Sequence, residues 1–327
     1  MKAILCNEFA PIDALQYGEA DVPPLKPGEV RIDVHACGIN FPDILIVQGK
    51  YQVKLPLPFI PGGEIAGIVT EVADGAEQLK IGQRVMVTTF FGGLCEQVAA
   101  PAVNVVAIPD HLDFLVGSVF QGGHTTSYYA LKQRGQLKAG ETLLVLGAAG
   151  GVGLAAVQLG KAMGARVIAA VGSEEKRACV LENGADETIN YATEDLKARA
   201  KELTGGRGAD VIFDPVGGDQ FDQAARSINA EGRILVVGFA SGRIPQYGVN
   251  LALLKSCAVV GVNYQHFFAH DRAGVDENFE DLLAMFSEKK ICPVIDKVFP
   301  LEQAADALQY VADRKAVGKV VVRVRDQ

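Results

Sequence analysis

The 327-residue sequence predicts an α/β protein in two parts, a β-rich N-terminal part and a doubly wound parallel sheet. Three observations predict this. Short apolar runs bounded by Gly and Pro fill roughly the first 120 residues. From about residue 122, strand patterns alternate with helical ones. Near residue 150, a glycine-rich turn joins a strand to a helix.

In the first part, "EVRIDVHACGI" alternates apolar with polar or small residues, as a half-buried strand does. "EIAGIVTEVA" and "QRVMVTT" are further strands, and the proline clusters "DVPPLKPG" and "LPLPFIPGG" read as loops. In the second part, "ETLLVLGA" is a strand and "GVGLAAVQLGKAMG" a helix closing on Gly164. "RVIAAVG" follows as a strand, then "SEEKRACVLENG" as a helix opening on Ser173. "ADVIFDPVG", "GRILVVGFA" and "CAVVGVNY" are near-continuous apolar runs, which suit strands covered on both faces. Two amphipathic helices, "DENFEDLLAMFSEKK" and "LEQAADALQYVADRK", precede a last strand, "GKVVVRV". The expected division is a domain of residues 1–121 and 264–327 with a dinucleotide-binding domain, 122–263, inserted in it.

Composition narrows the function classes. Asp and Glu total 39 against 31 Lys and Arg, a formal charge of −8, which argues against a nucleic-acid partner. No apolar stretch approaches the roughly 20 residues of a membrane helix, and "MKAILCNEFA" is too short an apolar run for a signal peptide. The six cysteines form no CxxC pair, as in a reduced, cytoplasmic protein.

"LLVLGAAGGVGLAAVQLGKAMGA" carries the strongest local signal. Gly147, Gly150 and Gly153 lie in the spacing G-x-x-G-x-x-G, where the strand turns into the helix. Small residues there let the backbone approach a pyrophosphate, which meets the free amides and dipole of the helix N-terminus. An NAD site places Asp or Glu about 20 residues further on, to hold the ribose 2′-hydroxyl. That count lands on Gly172 and Ser173, with Lys176 and Arg177 at hand for the 2′-phosphate of NADPH. Ser173 also reads as a helix N-cap, and Glu174 beside it favours NAD.

The chain resembles the medium-chain dehydrogenase/reductases, and among them the zinc-independent NADPH:quinone oxidoreductases, the zeta-crystallin-like group. The resemblance covers essentially the whole chain. It rests on "CGINFPDILIVQGKY", "PGGEIAGIVTEV", "GQRVMV", "HTTSYYAL", "GAAGGVGLAAVQLGKAMGA", "GADETINY" and "GKVVV". It implies a GroES-like N-terminal domain plus a Rossmann cofactor domain, NADPH as cofactor and a homodimer. Zinc members carry a cysteine where this chain has Asn40, a histidine where it has Gly63, and a four-cysteine lobe where it has "GGLCEQV". His35, His111, His124, His266, His270 and the cysteines offer no compact ligand spacing in exchange, so no metal is expected.

Without a Lewis acid, an unactivated alcohol is hard to oxidise, whereas a conjugated, electrophilic acceptor can still be reduced. The resemblance therefore implies hydride transfer to a small quinone or α,β-unsaturated carbonyl. It places Asn40 and Thr126 near the nicotinamide, Gly150, Gly151, Val152 and Gly153 at the pyrophosphate, and Gly172, Ser173, Lys176 and Tyr191 at the 2′-phosphate. Gly238, Phe239, Asn263, Tyr264 and Lys319 are carried over as further cofactor contacts. Tyr51 falls in a loop that the family places over the substrate, where a phenol can donate to a carbonyl oxygen. The residues leave bland readings open: Tyr191 as cover for the sheet edge, Tyr51 as a surface aromatic, Lys319 as a solvated strand residue. Two other functions also stay open. One is an enoyl-thioester reductase, with Lys50 and Lys54 as a basic rim; the other is an NADPH-binding sensor or RNA-binding protein.

Overall fold

The computed structural model describes residues 1–110 and 112–325, so His111 lies outside the described residues. The chain divides into two compact units, Met1–Gly122 with Pro293–Gln327, and Gly123–Cys292.

Among the described residues, the first unit holds a seven-stranded sheet in the order Ile295–Pro300, Lys319–Arg323, Glu29–Ile39, Glu64–Val72, Arg84–Thr88 and Val105–Ala107, with Gln97–Pro101 also paired to Glu29–Ile39. The predicted "EVRIDVHACGI" forms its strand over the whole run, because Val30, Ile32 and Val34 alternate into the core. Register decides what gathers at the strand end. Gly38 pairs with Glu64 on one side and with Val321 on the other, and Ile39 pairs with Val320. Asn40, Glu64 and Lys319 thus come from neighbouring strands at one end of the sheet.

In the second unit, six parallel strands run in the order Glu187–Asn190, Arg166–Val171, Thr142–Val145, Ala209–Asp214, Ile228–Val236 and Ala258–Gly261 among the described residues. In chain order this is 3-2-1-4-5-6, the doubly wound arrangement, with its switch point between Thr142–Val145 and Ala209–Asp214. Leu143, Leu144, Ile168, Ile212 and Phe213 are fully buried, which explains why these strands read as continuous apolar runs.

The return to the first unit falls at Pro293, later than the expected residue 264. Helices Tyr264–His270 and Arg272–Ser287 belong to the second unit, where Phe267 stacks on Tyr129 at 4.3 Å and Asp281 accepts from Tyr128 and Lys132. An amphipathic pattern shows that a helix buries one face, but not which sheet receives it. Helix Phe114–Tyr129 carried no clear sequence signal, since Gly117, Gly122, Gly123 and two threonines are weak helix formers. No helix among the described residues is long and apolar enough to cross a membrane.

Candidate active site

The glycine turn sits at the switch point of the parallel sheet. Gly147 has a φ of +56°, and a Cβ there would lie 2.7 Å from the Val216 side chain. A Cβ on Gly153 would meet the Gly147 carbonyl oxygen at 2.2 Å, so strand and helix touch backbone to backbone. Gly150 is the N-cap of helix Gly151–Ala162 and has no side chain to satisfy the helix's first amides. Gly151, Val152 and Gly153 form that first turn. A larger residue at Gly147 or Gly153 would fill this cradle, and its open amides fit a pyrophosphate.

The next βα turn brings Gly172, Ser173, Lys176 and Tyr191 together. The Tyr191 phenol lies over Gly172, where a Cβ would be 3.1 Å from its oxygen. Ser173 is the N-cap of helix Glu174–Glu182 and accepts from the Lys176 amide at 3.3 Å; its hydroxyl keeps its own proton to donate. Glu174 turns to protein partners. It accepts from Asn190 Nδ2 at 2.7 Å and from Arg177, which together hold its carboxyl below the usual range. Arg177 is committed as well, donating to Thr188 at 2.6 Å and pairing with Glu174 and Glu194.

Gly238 and Phe239 follow the Ile228–Val236 strand; the Gly238 amide donates to the Asp214 carbonyl, and the Phe239 ring lies against Gly217. Asn263 is the N-cap of helix Tyr264–His270, accepting from the His266 amide at 3.0 Å. Tyr264 bonds to Thr125, and burial pushes its phenol up. Thr126 is half-buried on helix Phe114–Tyr129 beside Thr125.

Asp214, at the end of the strand flanking the switch point, drew no notice as a sequence. Its Oδ1 accepts from the Val216 and Gly217 amides, while its buried Oδ2 has no protein partner among the described residues. Burial pushes its pKa up to about 6. The available signal was an acidic residue ending a buried strand before "PVGG".

In the first unit, a buried polar cluster forms where the three strands end. Glu64, Asp43 and Lys319 are only 1%, 4% and 6% exposed. Lys319 Nζ donates to Asn40 Oδ1 at 2.6 Å and to Glu64 Oε2 at 2.9 Å. Asn40 Nδ2 donates to Glu64 Oε2 at 3.0 Å, and the Gly122 amide donates to Glu64 Oε1 at 2.6 Å. Lys319 is therefore a buried, paired cation and not a solvated strand residue. Asp43 accepts from the Asn40 amide at 2.7 Å; burial pushes its pKa up to about 7, against the pull of that bond and of Lys319. Tyr51 follows the short helix Phe41–Val47, half-buried against the core of the unit.

Residues 26–141 fit the family described as "Alcohol dehydrogenase GroES-like domain", and residues 151–288 fit "Zinc-binding dehydrogenase". The chain is 40% identical over 327 residues to the quinone oxidoreductase-like protein 2 homolog of Nematostella vectensis, covering 99% of this chain and 89% of that protein. It is 32% identical to the human quinone oxidoreductase, covering 98% of this chain and 97% of that one. Among solved structures, the Escherichia coli quinone oxidoreductase complexed with NADPH matches with a TM-score of 0.93 at 29% identity, covering 99% of this chain and 100% of that chain.

The donor set does not fit the zinc of the family's description. A Cβ on Gly63 would stand 2.4 Å from the Thr89 carbonyl oxygen, leaving no room for a histidine, and Asn40 is bonded to an ammonium. Among the described residues, no group of three or more His, Cys, Asp or Glu side chains could hold a metal ion. With whole-length relatives at this identity, a GroES-like unit and a 3-2-1-4-5-6 parallel sheet, the chain belongs to the medium-chain dehydrogenase/reductases, in their quinone oxidoreductase (zeta-crystallin-like) group.

Proposed function

We propose that the chain is an NADPH-dependent reductase that passes hydride to quinones or other conjugated carbonyl acceptors without a metal. One observation carries the reading: the glycine cradle is open at the switch point, while the corner where zinc members hold their metal is closed by Gly63 and Lys319. NADPH supplies two electrons and one hydrogen as hydride; one further proton completes the reduced product. Gly150 to Gly153 hold the pyrophosphate. Gly172, Ser173, Lys176 and Tyr191 hold the adenosine 2′-phosphate, with Gly238, Phe239, Asn263 and Tyr264 as flanking contacts. Thr126 and Asn40 serve the nicotinamide end. Tyr51 donates to the acceptor's oxygen.

NADPH oxidation should appear with quinones or enals and persist in chelator. Turnover confined to enoyl-CoA thioesters would instead make this an enoyl-thioester reductase. Silence with every acceptor would leave a cofactor-binding sensor.

The chain also forms a homodimer in this reading. Edge strand Ala258–Gly261 pairs only with Ile228–Val236 among the described residues, and the preceding helix exposes Val249, Leu253 and Leu254 at 83%, 80% and 76%. Apolar surface of this kind needs cover. Sedimentation should give twice the 34.7 kDa chain mass, and Leu253→Asp with Leu254→Asp should shift it to monomer. A monomeric parent would end the idea.

A further inference from the structure

The cluster around Lys319 fixes something that neither the family resemblance nor the proposed function supplies, namely which way round the Asn40 carboxamide sits. An amide can turn over, exchanging its oxygen and nitrogen, unless its neighbours differ in polarity. Here they do. Lys319 carries only donors, so it must face the oxygen, and it lies 2.6 Å from Oδ1. Glu64 presents carboxylate oxygens, which accept, so it must face the nitrogen, and it lies 3.0 Å from Nδ2. Glu64 is itself held by the Gly122 amide at 2.6 Å and by Lys319 at 2.9 Å. A side chain at Gly122 would come within 2.8 Å of Glu64 Oε2, so the helix backbone keeps the carboxylate in place. The Asn40 backbone is pinned too, donating to Asp43 and accepting from the Asp43 amide.

This arrangement uses the amide oxygen and one of the two N–H groups of Asn40. Among the described residues the second N–H has no protein partner, and Asn40 is only half-buried. A buried ammonium behind the amide oxygen draws electron density away from the nitrogen and strengthens that remaining donor. Turned over, the same residue would offer an acceptor where charge has to be stabilised.

Building on the reductase reading, we propose that Lys319 and Glu64 are positioning residues that lock the Asn40 carboxamide, so that its remaining N–H donates to the carbonyl oxygen of the acceptor as that oxygen gains charge. The ammonium here does not bind substrate; it sets the polarity of the group that does.

The test compares the parent with the double variant Lys319→Met/Glu64→Gln and with Asn40→Ser. Changing both charges together avoids stranding one of them in the interior, so the double variant should fold. In it, a side-chain amide replaces the carboxylate, and nothing compels the orientation of Asn40. We expect kcat for a quinone to fall about 100-fold, the scale of losing one such donor, with NADPH affinity changed by less than about 2-fold. A second readout needs no turnover. In the cofactor-free parent, the two Asn40 Nδ2 protons, assigned by their loss in Asn40→Ser, should exchange with water at rates differing by at least about 10-fold, since only one is bonded to Glu64. The double variant should level them. A folded double variant with parental kcat, or equal exchange in the parent, would overturn the proposal. An inactive parent would instead overturn the reductase reading and the donor's target, while the exchange rates would still decide whether the amide is locked.

Discussion

Gly153→Val should abolish useful cofactor binding, weakening NADPH and NADH alike by at least about 100-fold, or about 3 kcal/mol. Its Cβ would overlap the Gly147 carbonyl oxygen at 2.2 Å and approach Ala148 Cα to 2.9 Å. Both obstacles are backbone, so the variant must push the loop away from the helix and spoil the cradle. The apolar core of the second unit, with Leu144, Ile168, Ile212 and Ile234, keeps its own side chains in this variant, so the sheet should survive. Lys176→Ala provides the contrast in the same fluorescence titration. It leaves the cradle intact and removes a cation beside Ser173, so NADPH should weaken by about 10-fold while NADH hardly changes. Equal loss for both cofactors in the Lys176 variant would contradict the 2′-phosphate assignment, and a Gly153 variant with parental affinity would contradict the cradle.

Asp43→Asn should stabilise the protein at alkaline pH. Burial lifts the Asp43 pKa from 3.8 to about 7, so between those values the folded chain holds a proton that the unfolded chain releases. Stability is therefore lost as pH rises through that window, and above about pH 7 the buried carboxylate carries its full penalty. The groups facing it are Lys319, which opposes this shift, and Glu64, which adds to it. An amide at this position can still accept from the Asn40 N–H but has no charge to bury. Relative to the parent, the variant should gain about 3 kcal/mol between about pH 5 and about pH 8. Urea unfolding at several pH values measures the difference; parallel curves for the two proteins would refute the buried charge.

The architecture was legible where local pattern and core agree. The strand Glu29–Ile39 and the glycine turn lie where the alternation and the spacing of Gly147, Gly150 and Gly153 put them. Ser173 caps its helix, and Gly164, with φ +81°, ends the preceding one. What stayed hidden depends on register between distant segments. Lys319 meets Asn40 across 279 positions and Glu64 across 255, and no local pattern reports such a meeting. Three donors converge on Glu64, each from a segment distant in the sequence. Helices Tyr264–His270 and Arg272–Ser287 fall in the second unit for the same reason: their partners, Tyr128, Tyr129 and Lys132, lie far back in the chain, whereas Ala304–Ala312 lies in the first unit as expected. Arg177 looked available for a phosphate because its commitment to Thr188, Glu174 and Glu194 is tertiary.

Steric closure also explains why the zinc corner cannot be restored by one substitution. The Gly63 carbonyl accepts from the Thr89 amide at 2.7 Å, so the two segments lie flush and exclude a side chain. The chain's own cation, Lys319, occupies the polar corner beside it. In the proposed reaction, such a corner requires an acceptor that is already electrophilic and donors that the protein holds in place.

Direct hydride transfer is the claim on which the rest depends, and NADPH deuterated at the nicotinamide C4 tests it most directly. Mixed with the enzyme, a chelator and a quinone or enal, the deuterated cofactor should be consumed more slowly than the ordinary one, and with an enal the deuterium should appear on the product's β-carbon. Consumption of NADPH with no isotope effect and no deuterium in the product, or no consumption with any conjugated carbonyl, would contradict it.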